Sequence, residues 1–130
     1  MKSSFNKPQS EAITHGKGPA LILAGPGSGK TLVITQRVKN LIEKQHIRPS
    51  NILVITFTKA AATQMKERFT ILMGEGRYPV TFGTFHAVFF SVLKNAYHYT
   101  AQNIIREEKK YQILYDIIPV SYTHLRAHET

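Results

Sequence analysis

The chain contains no cysteine and no tryptophan, and only 8 of its 130 residues are acidic. Without cysteine there is no disulfide, no thiol nucleophile and no cysteine-based metal site. The six histidines show no paired spacing on one helical face of the kind that a zinc site uses. Long hydrophobic runs are missing too: no apolar stretch approaches the roughly 20 residues that span a bilayer. A membrane is therefore not an expected partner. The first nine residues are polar and hold no apolar signal core, so a cytoplasmic protein is the simple reading. The scarcity of acids matters most. Asp116 is the sole aspartate, and the only adjacent acids, Glu107 and Glu108, precede lysines and read as the polar first turn of a helix. No acidic pair follows any strand-like apolar run.

What is present suffices for one small domain. Apolar residues make up 42% of the chain, which is not a disordered composition. Lysine and arginine number 17, giving a formal charge of +9. Such an excess suits a polyanionic partner, nucleic acid being the commonest, and it also serves plain solubility.

The pattern along the chain alternates. Asn6, Pro8 and Gln9 make a helix start, with Asn6 as cap, Pro8 in the first turn and Gln9 placed to reach back as in a capping box. This helix is expected to run to about His15 and to end at Gly16 and Gly18. Residues 20–24 (ALILA) form a continuous apolar run that predicts a buried parallel strand. A helix is expected from Lys30 to about Gln45, with Ile34, Val38, Leu41 and Ile42 on one face. Residues 52–56 predict a second buried strand. The next helix carries Ala61, Met65, Phe69 and Leu72 on one side, and residues 80–83 predict a third strand. Thr84 caps a further helix with Val88, Phe89, Val92 and Leu93 on its apolar face. A last helix is expected over 107–118, with Tyr111, Leu114, Ile117 and Ile118 inward. Strand and helix in alternation imply an α/β fold: a parallel sheet with right-handed crossovers.

The strongest motif is residues 24–31, AGPGSGKT, lying between an apolar strand and an amphipathic helix. This is the setting of a phosphate-binding loop. Gly25, Gly27 and Gly29 let the backbone curl so that amides point inward, and the helix N-terminus adds positive potential. Lys30 is placed to reach the β- and γ-phosphates, and Thr31 to offer its hydroxyl to Mg²⁺. The loop's first position is Ala24 where the usual pattern has glycine. The loop by itself indicates a nucleoside triphosphate; a ligand-free glycine turn is the bland alternative.

Gln9, the loop, residues 56–62 (TFTKAAA) with Met65 and Arg68, and residues 83–86 (GTFH) follow the order and approximate spacing of motifs in UvrD/Rep-like superfamily 1 helicases, which the chain resembles from Phe5 to about Leu93. The resemblance implies a P-loop NTPase fold of the RecA-like kind, with ATP and Mg²⁺ as cofactors and single-stranded and duplex DNA as partners. It implies that Gln9 reads the adenine edge, which a side-chain amide suits because it offers a donor and an acceptor together. Capping the first helix competes for the same side chain. It further implies nucleotide contacts along the loop, from Ala24, Gly25, Pro26, Gly27, Ser28, Gly29, Lys30 and Thr31 to Leu32, and at Arg37, whose alternative is a solvated helix face.

By the same resemblance Phe57, Thr58, Lys59, Thr84 and His86 lie on the DNA path. Phe57 offers a stacking face or, equally, a core side chain. Thr58 and the helix behind it suit a phosphate. Many family members have asparagine directly after the second threonine of this motif; here Lys59 stands there, followed by three alanines. His86 can donate to a phosphate or stack on a base.

The expected organisation is a partial, incomplete RecA-like motor domain over residues 1–95 and the start of a helical insertion over 96–119. Residues 120–130 (VSYTHLRAHET) match a translated sequencing adapter and are expected to be an artefactual tail. The acidic pair and the arginine fingers of a second motor domain are missing from the sequence, so a truncated motor is expected to be inactive in hydrolysis. The helicase subunit of a recombination helicase–nuclease shares these motifs. A small kinase would need an acceptor site and a lid, and neither has a signature here. A nucleic-acid-binding module that never hydrolyses ATP is the third possibility.

Overall fold

The computed structural model describes residues 4–118. The expected tail, residues 120–130, lies outside them. Helix α1 spans Lys7–Thr14, α2 Lys30–Glu43, β1 Leu53–Thr56, α3 Lys59–Met73, β2 Thr81–Thr84, α4 Phe85–Tyr97 and α5 Glu107–Ile117. The fold is mixed α/β, and its sheet is a parallel pair in which Leu53 faces Thr81 and Thr56 faces Thr84.

Local chemistry sets the element ends. The Asn6 side chain accepts from the Gln9 N–H while the Gln9 side chain accepts from the Asn6 N–H, so α1 starts on a complete capping box. Helix α2 stops two residues short of the expected end, because Ile47 N–H donates back to Leu41 and His46 turns into the left-handed region at φ 55. Ile52 N–H is used by a 3₁₀ turn at Pro49–Asn51, so β1 begins one residue late. At the other strand Val80 N–H is tied to Tyr78 O at 2.8 Å, which moves β2 one residue on.

One core joins α2, α3 and the strands. Val38, Ile52, Phe69 and Val80 are buried together, with Leu41, Ile42, Val54, Met73, Tyr78 and Phe82 against them. A second, smaller cluster joins Ala12 and Ile13 of α1 to Val33 of α2, with Phe5 beside it. Helix α2 thus buries two faces. Val33 and Thr35 go inside, whereas Ile34, expected inward, is exposed. The hydroxyl of Thr35 is accommodated by donating to the carbonyls of Thr31 and Leu32. On α3 the buried face is Ala62, Met65 and Phe69, one residue round from the expected Ala61.

Three expectations are corrected. Residues 20–24 form no strand, and Leu21 and Leu23 are 87% and 89% exposed. A parallel strand is held by ladder bonds to neighbours, and among the described residues β1 and β2 pair only with each other. The apolar face expected on α4 is largely uncovered, with Phe89, Val92 and Leu93 exposed. So are Tyr111, Leu114, Ile117 and Ile118 of α5. These helices have the periodicity of buried elements, but the described residues supply nothing to cover them.

Among the described residues, those up to Phe89 form one compact unit and those from Phe90 to Ile118 a second, dividing within α4; the sequence suggested a division at residue 95. The second unit holds the end of α4, a 3₁₀ turn at Ala101–Asn103 begun by a Thr100 capping box, and α5. Among the described residues no helix is long and apolar enough to cross a membrane.

Candidate nucleotide and nucleic-acid site

The glycine loop is a tight turn closed by Ser28 N–H donating to Gly25 O at 3.3 Å. Gly27 and Gly29 have φ of 74° and 77°, left-handed values that a side chain would oppose. Gly29 is also the N-cap of α2, and it brings no side chain to satisfy the helix's first amides. The first helical bond is Val33 N–H to Gly29 O. The N–H groups of Lys30, Thr31 and Leu32 therefore remain open to an anion. Lys30 is exposed and, among the described residues, forms no ion pair. The Thr31 hydroxyl likewise has no hydrogen-bond partner among them. A polar oxygen next to a concentration of amide donors fits a hydrated divalent cation carried by phosphates.

Beside the loop lies a cavity of about 270 Å³, lined in part by Gln9, Ala24, Gly25 and Ser28. Gln9 therefore does stand at the loop. Its side-chain oxygen serves the capping box, and its Nε2 donates to Ser28 O at 3.1 Å. Of the two uses expected for this amide the capping one is present, and its other end is bonded to the loop. Pro26 lies at the exposed outer turn, and Leu32 is exposed just inside α2. Arg37 is not brought to the cavity. Its Nη1 donates to the carbonyls of Ala12 and His15, both at 2.9 Å, so it satisfies the C-terminal end of α1.

The second group of residues gathers at the C-terminal ends of β1 and β2, level with each other because Thr56 faces Thr84. Open α/β sheets place ligands at such ends. Phe57 follows β1 and is 93% exposed, so its ring is not a core side chain here. Thr58 caps α3, its hydroxyl accepting from Ala61 N–H at 3.1 Å, and Lys59 opens that helix. Thr84 acts in the same way at α4, accepting from Ala87 N–H at 3.2 Å, with His86 exposed in the first turn. Between α3 and β2 runs a groove of about 480 Å³ lined by Lys59, Thr63, Lys66, Gly83 and Thr84 among others.

Comparison with known proteins bears on both groups. The profile of the UvrD/REP helicase N-terminal domain matches residues 5–130. The chain belongs to this family. It is 44% identical over 92 residues to the ATP-dependent DNA helicase PcrA of Bacillus subtilis, which covers 71% of this chain and 12% of that protein. It is also 44% identical over 91 residues to PcrA of Staphylococcus epidermidis and over 90 to that of Staphylococcus aureus, covering 70% and 69% of the chain. In each case the chain spans about 12% of the relative's length. The sequence thus corresponds to a region of a UvrD/PcrA-type helicase.

Within this UvrD/REP domain, sequence reasoning passed over two groove residues. Thr63 and Lys66 stand one and two helical turns beyond Lys59, on the groove side of α3. The signal was present as spacing, since positions i, i+4 and i+7 share a face. It was hidden by reading α3 only for its apolar stripe.

Proposed function

We propose that this chain is the ATP-binding part of a DNA helicase motor with a RecA-like P-loop domain. The observation that carries the reading is the glycine turn whose left-handed Gly29 leaves three successive N–H groups and Lys30 open at the start of α2. Lys30 and the open amides would hold the β- and γ-phosphates, Thr31 would hold Mg²⁺, and the cavity beside Gln9 would take the nucleoside. When bound, Mg²⁺ supplies charge neutralisation on the phosphate oxygens. Single-stranded DNA would follow the strand ends. There Phe57 stacks on a base, the α3 and α4 N-termini face phosphates, and Lys59, Lys66 and His86 lie along the backbone. Duplex DNA would be met by the intact protein, whose second motor domain lies outside this sequence.

Hydrolysis is a different matter. No acidic pair follows an apolar strand-like run in this sequence, so the groups that hold Mg²⁺ and orient an attacking water in a nucleotide hydrolase are not expected in it. The chain by itself is a phosphate binder without turnover. The test is titration with ATP and Mg²⁺, alongside phosphate release with and without single-stranded DNA. The chain should bind ATP, and Lys30→Ala should lose at least tenfold in affinity. Neither should release phosphate above background. ATP binding unchanged by Lys30→Ala would remove the loop from the site, and DNA-stimulated release by the unaltered chain would reveal an unrecognised catalytic acid.

A further inference from the structure

We propose that Gln9 is a positioning residue for the phosphate loop: by holding the Ser28 carbonyl it sets the direction of the Gly29 N–H, independently of any contact with a base. The proposal rests on the reading of the loop as a triphosphate site.

Three observations support it. First, the orientation of the Gln9 amide is fixed by its partners. Its oxygen accepts from Asn6 N–H and its nitrogen donates to Ser28 O, at 3.0 and 3.1 Å. A flipped amide would set donor against donor and acceptor against acceptor. Second, Ser28 C=O and Gly29 N–H belong to one planar trans peptide, so they point in opposite directions. Drawing the carbonyl towards α1 turns the amide hydrogen away from it. This peptide joins Ser28 to the left-handed Gly29, so on the Gly29 side no Cβ resists rotation of the plane. An outside tie is therefore what selects one orientation. The Gln9–Ser28 bond is partly buried, and the Ser28 Oγ beside it is buried with no hydrogen-bond partner among the described residues. Water is accordingly a poor substitute for the Gln9 donor.

Third, Gln9 is itself anchored to the helix that the loop begins. Ala12 and Ile13 pack on Val33 of α2. Arg37 donates to Ala12 O and His15 O, and Gln45 Nε2 donates to His15 O at 3.2 Å. Helix α1 is thus held to α2 by apolar contact along its length and by polar contact at its end. The Gln9 amide forms the third attachment, at the loop.

The experiment measures binding of ATP and of inorganic tripolyphosphate, which has no base, to the 130-residue chain in the presence of Mg²⁺. Gln9→Met keeps the side-chain length and removes the donor. Asn6→Ala weakens the α1 cap by a comparable amount but leaves the Gln9–Ser28 bond in place. We expect Gln9→Met to weaken tripolyphosphate and ATP alike, by about 3- to 10-fold, the effect of one net hydrogen bond. Asn6→Ala should keep its tripolyphosphate affinity within about twofold, the base-free ligand being the one compared because Asn6 lines the cavity beside the loop. Should Gln9→Met lose its helical circular dichroism, Gln9→Asn carries the same expectation, its amide being one methylene too short to reach Ser28. Weaker ATP binding with unchanged tripolyphosphate binding would make Gln9 a base reader only. Equal losses in the Gln9 and Asn6 variants would assign the effect to helix stability. Either result overturns the proposal. An unaltered chain that binds neither ligand would overturn the nucleotide reading first, and this one with it.

Discussion

Two phenylalanines provide a controlled comparison, because the same deletion should act on different properties. Phe69 is 3% exposed and Phe57 is 93% exposed. Phe69 packs against Val38, Ile52 and Val80, and its ring lies 5.5 Å from that of Phe82 and 6.4 Å from that of Tyr78. Truncation to alanine removes those contacts and leaves a cavity, at a cost of about 3–5 kcal/mol. That is a large share of the total stability of a small domain. Phe57 buries almost nothing, so its alanine variant should fall within about 0.5 kcal/mol of the unaltered chain. Its loss should appear in DNA binding. One base stacked on an aromatic ring contributes about 1–3 kcal/mol, equivalent to about 5- to 150-fold in affinity. Urea denaturation followed by circular dichroism reads the first quantity. Fluorescence anisotropy with a labelled oligothymidylate reads the second. Phe69→Ala should unfold at much lower urea, whereas Phe57→Ala should keep its midpoint and lose affinity. A midpoint shift in Phe57→Ala as large as that in Phe69→Ala would refute the exposed placement. Unchanged affinity would refute stacking.

Two further outcomes are expected. Lys66→Gln should weaken single-stranded DNA binding and reduce the slope of log affinity against log salt by about 0.7, the share of one phosphate contact; an unaltered slope would remove Lys66 from the groove. Gly29→Ala should lower stability by about 1–2 kcal/mol through its left-handed backbone alone, since a Cβ there would meet only Gln9 Nε2 at an ordinary 3.6 Å. Gly29→Asn should recover part of that loss in thermal melts, and an alanine variant as stable as the unaltered chain would mean that φ at 29 is not held positive.

Local signals proved legible where the information is itself local. The capping box at Asn6 and Gln9, the cap at Thr84, and the glycine turn at 25–29 are all decided within a few residues, and each is found where the sequence suggested it. Phases of helical faces were legible to within one position, as with Ala62 in place of Ala61. What the sequence did not reveal depends on distant partners. Residues 20–24 have the composition of a buried strand, yet composition states only what a segment prefers beside neighbours and not whether those neighbours are present. Helices α4 and α5 illustrate the same point. Arg37 was placed with the nucleotide by resemblance alone, and its bonds to Ala12 O and His15 O follow from the docking of α1, which no local pattern reports. At Gln9 both uses considered for the amide were reasonable. The missing fact was that one end could cap the helix while the other tied the loop.

The parallel pairing of β1 and β2 also governs the order in which the molecule assembles. Every ladder bond in the sheet joins residues on opposite sides of α3. A hairpin can zip from its turn, but these strands cannot meet until the whole crossover has been closed, and such non-local pairing is slow. Helices form within about a microsecond, so α3 has time to fold many times over before the strands dock. Phe57 and Lys59 on one side, and Thr84 and His86 on the other, are then brought level in a single late event. The α3 wall of that groove forms early and the β2 wall joins it only on docking, so DNA capture should appear with strand pairing and not with helix formation.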